Sequence, residues 1–510
     1  MSEFNHEGDN IMKKHSRNFL RTGALAMAMT LMLSLTGCSS SGGATTPSKS
    51  SELDPKNPVT VTVWNYYNGD QLAAFEQMVE DFNSTVGLEK GIVVMTVSQG
   101  DITTLADSLL DSVEGKAGAQ EIPTLAAVYS ETAYILDQAD ALAPMDAYFT
   151  DEELTAYVPG FIDEGRFNEN NELLQFPILK STEIFTANKT DWEPFAADTD
   201  ITLESLKTKE DLTAAAKTYY EWTDAQTPDI ANDGKALYGR DSVGNYIYLG
   251  AYQLGHELFN VENGELTVDM DRDTFKTLWD NYYIPYINGY FGSYAKFSSE
   301  DAKTGKILAL TSSSSGVSYL PTAVTLADDT THDIEIYATK ALPFANAENN
   351  AVVQQGASYC LLKATPAQQE GAVEFLKYST DSERNLTFAV QSGYSPVTLA
   401  ANTEEAITGS YSGDTSNAKD QNMLNALLIS ADVFNNDPAY ATKPFNGSKD
   451  VRTTLESALK DTAVADRAAV VTALDSGSSL EDAVAQFTTD EYFDTWFNNL
   501  NDEVNALIKQ

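Results

Sequence analysis

The apolar pattern of this chain changes period repeatedly, and each change predicts an element. Residues 59–64, Val-Thr-Val-Thr-Val-Trp, alternate with period two and are rich in β-branched side chains, so they read as a buried strand. After the loop from Asn65 to Asp70, Leu72, Phe75, Met78, Val79 and Phe82 recur at helical spacing. Residues 92–97 form a second strand, 102–113 a second helix and 122–129 a third strand, and a third helix starts over 133–138. Such alternation predicts a parallel sheet with helices on both faces. Residues 175–178 and 184–188 read as strands that leave this first lobe, and the stretch from about 200 to 300 reads as mostly helical. Residues 306–311 form a strand ending in Ser312 to Gly316, 334–337 and 352–362 are two more, and from Pro366 onward the pattern is nearly all helical. The expected class is α/β, with two lobes and a helical C-terminal region wrapped around them.

The beginning of the chain is different. Lys13, Lys14, Arg17 and Arg21 precede an apolar run over 22–35, too short to span a bilayer, followed by Thr36-Gly37-Cys38. This is the layout of a lipoprotein signal peptide, with Cys38 as the lipidated residue. The first eleven residues are polar and acidic and fit poorly as an n-region, so the expected start is Met12. Residues 1–37 are thus read as signal peptide. Residues 38–57, rich in Ser, Gly, Thr and Pro, are read as a flexible tether that cannot bury a core. The folded body, expected from near Val59, is about 450 residues long, enough for two or three domains.

Composition narrows the function classes. A formal charge of −43 argues against nucleic-acid or anionic-membrane binding, which need clustered Lys and Arg. Lipidation of Cys38 leaves Cys360 without a disulfide partner, and Cys360 sits in an apolar strand as a buried thiol. Only His256 and His332 follow the leader, too few for a His-based metal cluster. No Gly-x-Gly-x-x-Gly, Walker loop or Gly-x-Ser-x-Gly elbow occurs, so no cofactor is expected. Loops at strand ends instead carry hydroxyls, aromatics and glycines: Tyr66 and Tyr67, Tyr129-Ser130-Glu131, and Ser312 to Gly316. In open α/β sheets ligands sit beyond the carboxyl ends of the strands, and a cleft of such groups suits a polyol, a sugar or a small anion.

The lipoprotein start, the first strand and loop, the crossover from Phe176-Pro177 to Asn188, Ser312 to Gly316, Gln355-Gly356-Ala357-Ser358 and Ser392-Gly393-Tyr394-Ser395-Pro396-Val397 together resemble the family 1 extracellular solute-binding proteins of ABC importers. The resemblance runs from Val59 to about Thr454 and is greatest to the glycerol-3-phosphate and related carbohydrate binders. It implies a type II periplasmic-binding-protein fold, with lobe 1 over 58–178 plus 352–400 and lobe 2 over 179–351 plus 401–510. It also implies a monomer that makes and breaks no bond, closes over one solute and docks on ABC permease subunits, held at the extracellular face of the membrane by its lipid alone.

By the same resemblance, Ser181, Ser314, Ser315, Gly356, Tyr394 and Arg452 match ligand-binding positions of the family, and Tyr66, Tyr67, Tyr129 and Glu131 join them as strand-end candidates. An Arg fork suits phosphate or carboxylate. Two departures keep other sugars and phosphodiesters open: the family's Tyr-Glu pair appears as Tyr129-Ser130-Glu131, and no Tyr stands near 98–103. Plainer readings stand beside these, namely packing between lobes for Tyr394, a helix-surface ion pair for Arg452, a helix N-cap for Ser314. Trp64 reads as core, whereas Trp222 and Trp279 are divided between core and sugar stacking. The competing functions are a secreted carbohydrate-active enzyme and a surface sugar-sensing or adhesion protein.

Overall fold

A computed structural model describes residues 51–508. The signal peptide, Cys38 and the tether as far as Ser50 lie outside the described residues. At Ser51 the chain is already tied down, because the Ser51 hydroxyl and the Glu52 amide both donate to the Glu370 carboxylate.

The chain opens with β1 (Val59–Asn65), α1 (Gly69–Ser84), α2 (Val86–Lys90), β2 (Ile92–Ser98), α3 (Ile102–Val113), β3 (Leu125–Val128) and α4 (Ser130–Gln138), the alternation that the apolar pattern predicts. Next come α5 (Asp151–Leu154), α6 (Pro159–Asp163) and β4 (Gln175–Phe176). The second lobe holds β5 (Glu183–Asn188), α7 (Lys189–Thr199), α8 (Lys209–Asp224), β6 (Tyr238–Arg240), α9 (Val243–Gln253), β7 (Phe259–Glu262), β8 (Glu265–Val268), α10 (Arg272–Ile287), α11 (Ser298–Lys303) and β9 (Ala309–Ser313). It continues with β10 (Ala323–Thr325), β11 (Thr331–Asp333) and β12 (Ile336–Lys340). The remainder is β13 (Val352–Val353), β14 (Ser358–Leu361), α12 (Pro366–Ser379), α13 (Ser382–Ser392), α14 (Glu404–Ser410), α15 (Ala418–Asn436), β15 (Ala439–Tyr440), α16 (Ser448–Asp475), α17 (Leu480–Val484) and α18 (Asp490–Ile508).

The two lobes each have one main sheet, ordered β2-β1-β3-β14-β4 and β12-β5-β9-β6. Parallel pairing joins β1 to β2 and β3, and β6 to β9. Antiparallel pairing appears at β14 and β5, the strands that enter a sheet from the other lobe. Long excursions through other strands and helices, not a single βα crossover, separate each of them from its sheet neighbours, so the right-handed βαβ constraint on direction does not act there.

Alternation along the first sheet separates two helix-covered faces. Val61, Val63, Ala127 and Tyr359 pack with Phe75 of α1, whereas Trp64, Ala126 and Cys360 pack with Leu105 and Leu109 of α3. Trp64 is core, as its strand position implies, and burial pushes the Cys360 thiol far above its ordinary value. The second lobe has its own core, completed by Val451, Leu455 and Leu459 of α16 and Phe493 and Phe497 of α18. Trp279 is 1% exposed there, stacked on Tyr283, and Trp222 packs against the same core while donating to Asp198, so both belong to packing.

Several elements differ from expectation. The stretch from 200 to 300 contains β6 and the β7–β8 hairpin among its helices. The strand expected over 352–362 is two, broken where Gly356 takes φ +111 at the crossover. A Cβ there would sit 2.9 Å from the Leu179 carbonyl oxygen, so the two crossing segments approach only because residue 356 is glycine. The strand expected over 306–311 begins at Ala309 and runs on to Ser313, because its ladder partner is β5.

Candidate functional site

A cleft of about 410 Å³ opens between the lobes. Its first-lobe wall comes from the ends of β2 and β3, where Ile102, Thr103 and Asp107 of α3 and Ser130, Glu131 and Thr132 of α4 follow. The second-lobe wall comes from Ser242, Asn245 and Tyr248 around α9, from Tyr440 to Phe445, and from Ser448, Lys449 and Arg452 of α16. Helices begin where strands end in a βα unit, so the N-termini of α3, α4, α9 and α16 all open on this space. Asp101 and Ser242 cap α3 and α9 through their side chains, whereas α4 and α16 start at Tyr129 and Gly447 without a side-chain cap. Their dipoles favour negative groups in the cleft.

Of the residues singled out from sequence, Tyr129, Glu131, Gly356 and Arg452 line this cleft. Tyr129 is 46% exposed on its wall. Its phenol is pushed upward mainly by desolvation and then by Tyr394 and Glu131, with Arg452 acting in the opposite sense. The Arg452 guanidinium lies 5.6 Å from the Tyr248 ring centroid and donates to Asn245 Oδ1 at 2.5 Å. Asn245 is fixed in turn, since its Nδ2 donates to Glu183 at 3.1 Å. Glu183 also accepts from Arg240 at 2.8 Å, with both side chains 4% exposed. A buried ion pair thus orients an amide, and the amide orients the guanidinium. Arg452 is in no ion pair among the described residues, and its charge faces a cleft whose wall also carries the Glu131 carboxylate.

A second group of candidates gathers at the crossovers instead. The Tyr394 phenol lies beside Ser315 and Tyr66, and burial raises it. Tyr66 also lies beside the Ala357 backbone. The Ser313 hydroxyl donates to Ser181 at 3.2 Å and shares a 2.9 Å bond with Ser315. Tyr394 therefore packs between lobes. Ser314 is not an N-cap in the sense read from sequence: it is the first residue of the short helical turn Ser314–Tyr319, and its hydroxyl accepts the Thr182 amide at 3.2 Å. Tyr67 is in the first-lobe core, 2% exposed and edge-on to Phe75 at 5.1 Å. The loop folds back after Asn65, whose side chain accepts the Tyr67 amide, and this turns the ring inward.

Sequence reading missed Asn245, Tyr248, Tyr440, Glu164 and the short basic run of Lys443 and Lys449 ahead of Arg452. Only that basic run carried a signal, as a local excess of cations in an acidic chain. Among the described residues no group of three or more His, Cys, Asp or Glu is placed to hold a metal, and no helix is long and apolar enough to cross a membrane.

The fold is similar to several solved binding proteins. The cyclic alpha-maltosyl-1,6-maltose binding protein of Arthrobacter globiformis superposes with a TM-score of 0.61 at 16% identity, covering 89% of this chain and 100% of its own. UgpB of Mycobacterium tuberculosis, in complex with glycerophosphocholine, gives 0.60 at 13%, covering 89% and 99%. The GacH receptor of Streptomyces glaucescens, solved unliganded and with acarbose, gives 0.57 at 13%, covering 88% and 98%. These likenesses establish the two-lobed periplasmic-binding-protein fold. A search of curated protein sequences finds no match. The family model for bacterial extracellular solute-binding proteins matches residues 77–415, most of the chain and both lobes, and the chain therefore belongs to that family.

Proposed function

We propose that this chain is the lipid-anchored substrate-binding subunit of an ABC importer, which captures a carbohydrate or a glycerol-3-phosphate-like solute between its lobes and delivers it to the permease. The observation that carries the reading is the guanidinium of Arg452, held by Asn245 at the cleft wall and in no ion pair among the described residues. The exposed ring of Tyr129 supplies a face for C–H surfaces, and Arg452 with the uncapped N-termini of α4 and α16 answers an anionic group. The solved relatives support this range of solutes, since one is named for a maltosyl-maltose and another holds glycerophosphocholine. Hinge closure at the crossovers would bury the solute, and lipid on Cys38 would keep the binder near its permease at a raised effective concentration.

Thermal-shift measurements with glycerol-3-phosphate, glycerophosphocholine and maltotriose test this. A ligand at a hundredfold excess over Kd stabilises the native state by about 2.7 kcal/mol, which is readily seen as a rise in Tm. At least one of these should raise Tm, and for the phosphorylated probes Arg452→Ala should abolish the rise. If only maltotriose acts and Arg452→Ala leaves its shift intact, the phosphate reading fails; if none acts, the solute class is wrong.

A further inference from the structure

Lys180 is 0% exposed, an unusual place for an ammonium group, and it lies on the segment that crosses between the lobes. Its Nζ donates to Glu164 and, at 2.9 Å, to the Gly356 carbonyl oxygen. The backbone on either side is locked as well: Lys180 bridges Ser395, and Ser181 bridges Gln355. One buried cation therefore joins the end of α6, the outgoing crossover and the returning crossover.

Glu164 differs from its partner in one respect. Its side chain is 12% exposed, and that exposed part lines the cleft. One oxygen takes the Lys180 ammonium and the other lies 3.4 Å from the Ser130 hydroxyl, which leaves lone pairs of a carboxylate open to the cleft. Because Lys180 offsets its charge from below, this carboxylate presents hydrogen-bond acceptors to the cleft without adding a net negative charge beside Arg452. Adjacent hydroxyls of a sugar or polyol are the donors that suit two acceptor oxygens held in one plane.

We propose that Glu164 is a ligand-contacting residue that accepts hydrogen bonds from solute hydroxyls, and that Lys180 is the positioning residue that holds it. The inference rests on the solute-binding reading given above and assigns the hydroxyl-bearing part of the solute to the α6 end of the cleft. Removing Glu164 alone would strand a buried ammonium and could unfold the protein, so the informative variant is Glu164→Gln combined with Lys180→Met, in which both charges are gone.

The test is calorimetric titration of the full chain with maltotriose and with glycerophosphocholine, Tm of every variant being recorded without ligand. The double variant should fold and should bind the probe that the wild type binds at least about tenfold more weakly, the expected effect of losing a charged acceptor. Lys180→Met should weaken binding in the same direction, and Lys180→Arg should restore most of it. A folded double variant whose affinity stays within twofold of wild type overturns the assignment of Glu164. Equal losses in Lys180→Met and Lys180→Arg overturn the positioning role. A wild type that binds neither probe, and does not respond to glycerol-3-phosphate either, means that the proposed solute class is wrong, and this inference falls with it, an outcome visible before any variant is made.

Discussion

Arg452 and Glu164, two of the charged groups that line the cleft, come from different lobes and are supported in unlike ways. On the second-lobe side, Arg452 is held by a chain that ends in the Arg240–Glu183 pair, enclosed within that lobe with both side chains 4% exposed. On the first-lobe side, Glu164 is itself half of an ion pair, and only its Lys180 partner is fully enclosed. The difference separates stability from binding. Where the pair is remote from the cleft, its loss is felt first by the fold; where one member lines the cleft, water or solute can replace part of what is lost.

Breaking the remote pair should give the largest effect. Glu183→Ala leaves the Arg240 guanidinium uncompensated inside the lobe and frees Asn245, so it should cost about 3–5 kcal/mol in urea denaturation. If Lys180→Met costs as much as Glu183→Ala, the contrast between the two supports is wrong.

A smaller effect sharpens the picture of the second-lobe interior. A cavity of about 30 Å³ lies beside Arg240, bordered by Glu183 and Lys209. The Lys209 ammonium donates to the Leu342 carbonyl oxygen and lies 4.4 Å from the Phe344 ring centroid. Burial, and after it the charge of Arg240, push its pKa down to about 7. The unfolded chain, with an ordinary lysine near 10.4, therefore binds more protons between about pH 7 and 10, and this residue makes stability rise with pH across that window. Lys209→Met should remove the rise, about 2 kcal/mol between pH 6 and pH 10 after allowance for partial hydration. Urea midpoints of both proteins at the two pH values check it, and parallel pH dependences would disprove it.

The smallest effect belongs to the surface. A hydrogen bond with Asp269 at 2.8 Å raises the pKa of His256, with further help from Asp271. A raised folded-state value means stability that is fully present below the unfolded value near 6.5 and lost as pH climbs through the folded one. The side chain is 35% exposed, so the contribution should be no more than about 0.5 kcal/mol. His256→Ala should therefore lower stability slightly at pH 5.5 and not at pH 8.5. A loss as large as that of Glu183→Ala would mean that surface and interior pairs do not differ as argued.

Local pattern was enough for the helices and strands of the first lobe. Val61 and Val63 face one layer and Trp64 the other because side chains alternate along a strand, and Phe75, Met78 and Phe82 share a helix face because 3.6 residues make a turn. Short elements without such a period, β6, β10 and β15, were not legible, since each is two or three residues long and exists through its ladder partner. The site divides in the same way. Tyr129 and Glu131 follow a strand and open a helix, so chain order points to them, whereas Arg452 is reached only through the family resemblance. Glu164, Lys180 and Asn245 carry no local mark.

Sequence by itself therefore determined the α/β class, the lobe-building order of strands and helices, and the candidate chemistry at strand ends, because periodicity and turn residues act between neighbours in the chain. Tertiary structure alone decided that Tyr67 goes to the core and Glu164 to the cleft. It also decided that Lys180 and Gly356, and Glu183 and Asn245, become partners. Those pairings join residues far apart in sequence. They arise only where separate segments cross between the lobes or pack within one, and where a buried charge or amide must find a partner to offset the loss of water.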